Sequence, residues 1–159
     1  MKILAVSFIL FSSLSFAYMR IGKEKEKFLL LCELYSFIEK LEREISCYLK
    51  PLSDICSSYS SPLLSRLGFF SDISAVGAEK AYHVLEKRVI LPARATEILH
   101  NFFSLVGKGY AEDELRLTQR VLNELSPIMN YEAERFKKER TLTLTLSSAA
   151  SFAVIILFI

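Results

Sequence analysis

The chain of 159 residues carries 20 Lys and Arg against 18 Asp and Glu, and it is 52% hydrophobic and 24% charged. A formal charge of +2 leaves no cationic excess to neutralise a phosphate backbone, which argues against a nucleic-acid-binding protein. Five Gly, four Pro and three Cys exclude collagen-like, linker-rich and cysteine-scaffold chains, and the length suits one ordinary domain.

Residues Ile3–Met19, ILAVSFILFSSLSFAYM, hold no charge. As a helix these 17 residues span about 26 Å, slightly less than a hydrocarbon core of about 30 Å. Lys2 and Arg20 can close that gap by stretching their stems and keeping their charges at the interface. The same stretch also fits a cleavable signal peptide cut after Ala17, with Ser15-Phe16-Ala17 as the small-residue site.

From Phe28 to Leu49 apolar residues recur in steps of three and four: Leu31, Leu34, Ile38, Leu41, Ile45 and Tyr48. That spacing predicts one helical face, with Glu33, Lys40, Arg43 and Glu44 falling away from it. Pro51 should close this helix or open the next. Leu52, Ile55, Cys56 and Tyr59 continue helical spacing, and Ser61-Pro62 reads as an N-cap followed by a first-turn proline. Leu63, Leu64, Leu67, Phe69 and Phe70 form a short apolar segment around Gly68, and residues 71–77 read as a loop. A helix near 78–90 places Ala81, Tyr82, Leu85 and Val89 together. Leu91-Pro92 breaks it, and Ile98, Leu99, Phe102, Phe103 and Val106 mark another. Gly107 and Gly109 should supply the left-handed geometry that ends that helix. Glu112, Asp113 and Glu114 then open a last helix, where acidic charge opposes the macrodipole. Its seam is Leu115, Thr118, Leu122, Leu125, Met129 and Phe136, and Pro127 should kink or briefly break it.

Thr141–Ile159, TLTLTLSSAASFAVIILFI, is the second charge-free stretch. Its 19 residues suffice for one span, and its Ser and Thr hydroxyls can bond back to the preceding turn. Ser147–Ser151 cluster small residues that would let another helix approach. Arg20, Lys23, Lys25 and Lys27 follow the first stretch, and Arg135, Lys137, Lys138 and Arg140 precede the second. By the positive-inside rule these eight charges hold the middle of the chain in the cytoplasm. The expected fold is all-α: an antiparallel helical bundle flanked by N- and C-terminal transmembrane helices. Residues 1–20 are the anchor, 21–140 the cytoplasmic helical domain and 141–159 the terminal span. The alternative is an exported helical binding protein with a cleaved leader and a C-terminal anchor.

Catalytic signatures are sparse. Gly107-Lys108-Gly109 is too short for a phosphate loop and has no preceding strand. His83 and His100 lack a second ligand at helical spacing. The acidic triplet has no calcium-loop context. Cys32, Cys47 and Cys56 lack C-x-x-C spacing and read as small buried or half-buried thiols in a reducing compartment. No catalytic, cofactor-binding or metal residue is assigned, and a non-enzymatic protein without cofactor or small-molecule substrate is expected. Phe69, Phe70, Phe102, Phe103 and Tyr110 either fill the core or, where exposed, contact another protein.

An N-terminal anchor, a long first helix, compact helices, a glycine turn, the stretch AEDELRLTQRVLNELSPIMNYEAERFKKER and an apolar end together resemble the stage III sporulation protein AB family of endospore-forming bacteria. The likeness is strongest over Leu105–Ile159. Family members tend to have a Leu-Gly pair entering the last span, where this chain has Leu146-Ser147-Ser148-Ala149-Ala150, and Pro127 is unusual. The resemblance implies a helical domain similar to those of type II secretion F proteins, in the mother-cell membrane around the forespore. It also implies a part in assembling a secretion-like channel complex, with the ATPase stage III sporulation protein AA as a partner.

Overall fold

The three-four spacing of the first helix is realised from Leu31 to Ile45. The computed structural model describes the backbone of residues 2–48 and 52–158, and the side chains of 12, 15, 18, 19, 21–47, 52–150 and 153. α1 runs Lys2–Tyr48, and Leu31, Leu34, Ile38, Leu41 and Ile45 are buried, joined by Leu30 and Phe37. Then follow α2 (Leu52–Ser58), α3 (Pro62–Arg66), α4 (Phe69–Val76), α5 (Ala78–Arg88), α6 (Ala93–Leu105) and α7 (Ala111–Phe158). The described residues are all-helical, with no strand among them. Tyr48 as a seam residue, the expected helix end at Leu49 and the role given to Pro51 lie outside the described residues.

The chain divides into two compact units, residues 29–130 and the pair of segments 1–28 and 131–159. In the first, Ile55, Leu64, Phe69, Tyr82, Leu99 and Leu125 join the α1 face in one apolar core. Aromatic rings run through it: Phe37 meets Phe70 at 5.4 Å, Phe70 meets Phe69 at 5.7 Å, and Phe69 meets Phe103 at 5.4 Å. Phe103 stacks on Tyr82 with centroids 4.9 Å apart. Edge-on and offset ring pairs contribute beyond their buried area, about 0.5–1.5 kcal/mol each.

α3 has five residues, too few to be stable alone, and its start is held from outside. Pro62 occupies the first turn, and the Leu64 amide donates to Ser61 Oγ at 3.3 Å. A complete capping box would put an acid at position 64, but Leu64 is fully buried. The carboxylate comes from α1 instead. Glu33 accepts the Leu63 amide at 3.0 Å, the Leu64 amide at 3.1 Å and the Ser61 hydroxyl. Glu33 therefore does not fall away to solvent as its spacing suggests; it is half-buried because the α3 donors need it.

Residues 71–77, expected as a loop, are helical through Val76. Phe69 and Ile73 are one turn apart and both buried, Asp72 lies in the first turn, and the weak polar spacing conceals this short amphipathic face. Gly77, at φ 87°, ends α4 with its amide on Ile73 O at 3.0 Å and starts α5 with its carbonyl accepting the Ala81 amide at 3.0 Å. α7 continues through Pro127, so the expected short break does not occur. Pro127 and Asn123, whose carbonyl loses its helical donor, are both exposed, so water can replace the missing bond.

In the second unit the outer parts of α1 and α7 run antiparallel. Phe28 stacks on Phe136 at 5.9 Å, while Ile21 and Glu24 face Glu139, Leu142 and Leu146 across a small groove. Thr141 donates to Lys137 O, Thr145 to Thr141 O and Ser148 to Thr145 O, at 2.8–3.0 Å. Among the described residues no helix is long and apolar enough to cross a membrane. Most side chains of residues 3–19, and those of 151, 152 and 154–159, lie outside what is described.

Replacing Glu33 with Ala strands the Leu63 amide and the Ser61 hydroxyl and leaves the Leu64 amide with Ser61 Oγ alone. It should lower unfolding stability by about 1–3 kcal/mol, with E33Q intermediate. Denaturant unfolding followed by helical circular dichroism measures this, since the chain has no Trp.

Candidate interaction site at the glycine turn

α6 stops because the chain turns left-handed at Gly107, with φ 81°. A side chain there would strain the backbone and bring its Cβ to 3.3 Å from Leu52 Cδ2. Gly109, expected to share this role, has no positive φ. Its amide matters instead: Glu114 Oε1 accepts the Gly107 amide at 2.8 Å and the Gly109 amide at 3.0 Å. Glu114 is only 8% exposed, and the close fit at Gly109 puts that carboxylate 3.5 Å from where a Cβ would stand. Of the acidic triplet, Glu112 and Asp113 stay exposed as helix-start charges, while Glu114 turns inward to clasp the turn. Spacing along the chain gave no sign of this inward turn.

The clasp fixes what the turn displays. Val106 is buried, Leu105 is 54% exposed and Tyr110 is 85% exposed. Lys108 reaches back to Glu79 on α5 at 2.8 Å, and that hydrogen bond and charge hold the Glu79 carboxyl below its ordinary range. Beyond the turn, Arg116 and Arg120 stand one turn apart and exposed on α7, with half-buried Leu117 beside them. Leu105, Lys108, Asp113, Arg116, Leu117 and Arg120 line an open groove of about 450 Å³. Among the described residues neither arginine is in an ion pair.

The other candidates have quieter surroundings. Phe69, Phe102 and Phe103 are buried and Phe70 is half-buried, so only Tyr110 of the five aromatics faces outward. His83 and His100, 17 residues apart, come together on one carboxylate: their Nδ1 atoms lie 4.0 and 3.7 Å from Glu86 Oε2. That meeting depends on how α5 packs on α6 and has no signature in spacing. Among the described residues no group of three or more His, Cys, Asp or Glu is placed to hold a metal ion. Burial pushes the Cys56 thiol up to about 11, and burial with the nearby Glu33 charge raises Cys32. Both are poor nucleophiles. Cys47, expected to be at least half-buried, is exposed because it lies off the buried face of α1.

A family model described as stage III sporulation protein AB matches residues 2–159. No curated protein and no solved structure matches the chain.

Glu114→Ala leaves two turn amides without their acceptor. Hydrogen exchange across residues 105–110 should accelerate, with global stability lower by about 1–3 kcal/mol. Exchange in α5 should remain slow.

Proposed function

Since the chain belongs to the stage III sporulation protein AB family and serves in sporulation, we propose that it is a non-enzymatic, membrane-held assembly component of a secretion-like channel complex. Both charge-free ends lie in the mother-cell membrane around the forespore. Residues 21–140 stand on the cytoplasmic side, where they meet partners such as the ATPase stage III sporulation protein AA.

The observation that carries this reading is the uncovered apolar surface where the charges stop. Tyr18, Met19, Leu142, Leu144 and Leu146 are each more than half exposed, next to stretches 3–19 and 141–159. In water such a row costs about 25 cal/mol per Å² of apolar surface, and lipid removes that cost. The inward-bonded hydroxyls of Thr141, Thr145 and Ser148 support it, because lipid offers them no other partner. Eight flanking Lys and Arg favour the cytoplasmic side for the helical domain. The raised thiols and the exposed histidines give no support to a nucleophilic centre.

Native Cys47 is an exposed reporter, while Cys56 is buried. A membrane-impermeant maleimide should leave the protein unlabelled in intact mother cells. After lysis at pH 8 it should modify Cys47 well before Cys56. Labelling in intact cells, or full-length protein recovered from cells without detergent, would refute the proposed topology.

A further inference from the structure

Arg116 and Arg120 are exposed, and each offers a planar fork of donors that matches a carboxylate. Exposed Glu112 and Glu124 lie four residues from Arg116 and Arg120 on α7, yet among the described residues neither arginine pairs with an acid. Glu114 Oε1 accepts the Gly107 and Gly109 amides, and Glu79 is held by Lys108. Asp113 also lines the groove and, among the described residues, has no ion pair to either arginine. Beside these charges, Leu105 is more than half exposed although its neighbours Phe103 and Val106 are buried. Two uncommitted guanidinium groups beside an uncovered leucine, in a groove that a rigid turn holds open, form a surface with both a charge requirement and an apolar one.

We propose that this groove docks a protein segment bearing two carboxylates about one helical turn apart, which pair with Arg116 and Arg120, and an apolar side chain that seats against Leu105 and Leu117. The one-turn separation of the arginines sets the spacing of the acids, since residues four apart on a helix are surface neighbours. The leucines require a side chain that a free phosphate or carboxylate lacks. Asp113, which lines the groove, opposes a continuous anionic lipid surface more strongly than two discrete acids. Tyr110, fully displayed at the end of the turn, extends the contact for an amphipathic segment. The inference rests on the assembly reading for its need of a partner, but on the groove alone for that partner's chemistry.

The test is selection of random phage-displayed peptides on the full chain in neutral detergent micelles, with affinities of the winners measured by fluorescence anisotropy. Enriched peptides should carry paired acids at helical spacing with an adjacent apolar residue. They should bind the R116E/R120E double variant at least about tenfold more weakly, and L105D comparably so. Both arginines and Leu105 are exposed, and unchanged circular dichroism confirms that the variants fold. Absence of enrichment, winners indifferent to R116E/R120E, or displacement of the winners by dioctanoyl phosphatidylglycerol would overturn the proposal, the last by giving the arginines to lipid. A failed selection with Cys47 protected in intact cells refutes the groove alone, whereas labelled Cys47 refutes the reading beneath it.

Discussion

Burial of one face of α1 is the constraint on which unit 29–130 depends. Seven apolar side chains from Leu30 to Ile45 are withdrawn from water on that face. At about 1.5–3 kcal/mol each, their burial outweighs the intrinsic helical tendency of any partner. α2 and α3 have seven and five residues and could not persist alone in water. They exist because Ile55, Cys56 and Leu64 complete the surface that α1 leaves open. The polar consequences follow from the same packing. Pressing a five-residue helix into an apolar core buries its amides, so a carboxylate must come with them, and Glu33 is the side chain α1 has at that height.

Glu33 and Glu114 solve one problem in two places. Each carboxylate accepts two backbone amides, and of the four only that of Leu64 also has a local acceptor, Ser61 Oγ. Charge-assisted bonds of this kind are about twice as strong as neutral ones, and losing them strands buried donors. The difference lies in the consequence. Glu33 ties a long-range contact and makes the core continuous. Glu114 ties a local turn, and so fixes the directions in which Leu105, Lys108 and Tyr110 leave the surface.

That contrast also explains what the residue pattern could disclose. Periodicity is a property of one element at a time, so the α1 seam to Ile45, the α7 seam, the helix near 78–90, the helix marked by Ile98, Leu99, Phe102 and Phe103, and the cap at Ser61 are all legible. α4 was not, because a single buried pair, Phe69 and Ile73, in eight residues gives too little period to distinguish from a loop. Glu33 looked like a surface residue for a related reason: its partners are 28–31 positions away, and nothing on α1 announces them. At the turn, the role of Gly107 was readable and that of Gly109 was misassigned. The second glycine serves to let Glu114 approach, and closeness of approach is invisible until the fold brings the carboxylate there. The groove edged by Arg116 and Arg120 was missed for want of any motif. Two arginines in a helix are ordinary, and only their lack of an ion pair among the described residues, with Asp113 in the same groove, makes them informative.

The distribution of chemistry then bears on how the molecule acts. Of the three thiols, Cys32 is half-buried and Cys56 buried, and burial disfavours their charged form, whereas Cys47 is exposed. Tyr82 is driven the same way, its hydroxyl pKa raised by burial and by the Glu86 charge, against the opposing hydrogen bond it donates to Thr96 O. Cys32, Cys56 and Tyr82 are thus withdrawn, while around the glycine turn the groups left outward are Leu105, Tyr110, Arg116 and Arg120, which suit binding. Such a division suits a component whose work is to be held and to hold. The apolar ends offer surface that lipid would cover, and the glycine turn offers surface shaped for a discrete, acidic segment of protein. Because a carboxylate clasp, rather than a flexible loop, sets that second surface, its ordering cost is met during folding, leaving more of the contact energy for recognition.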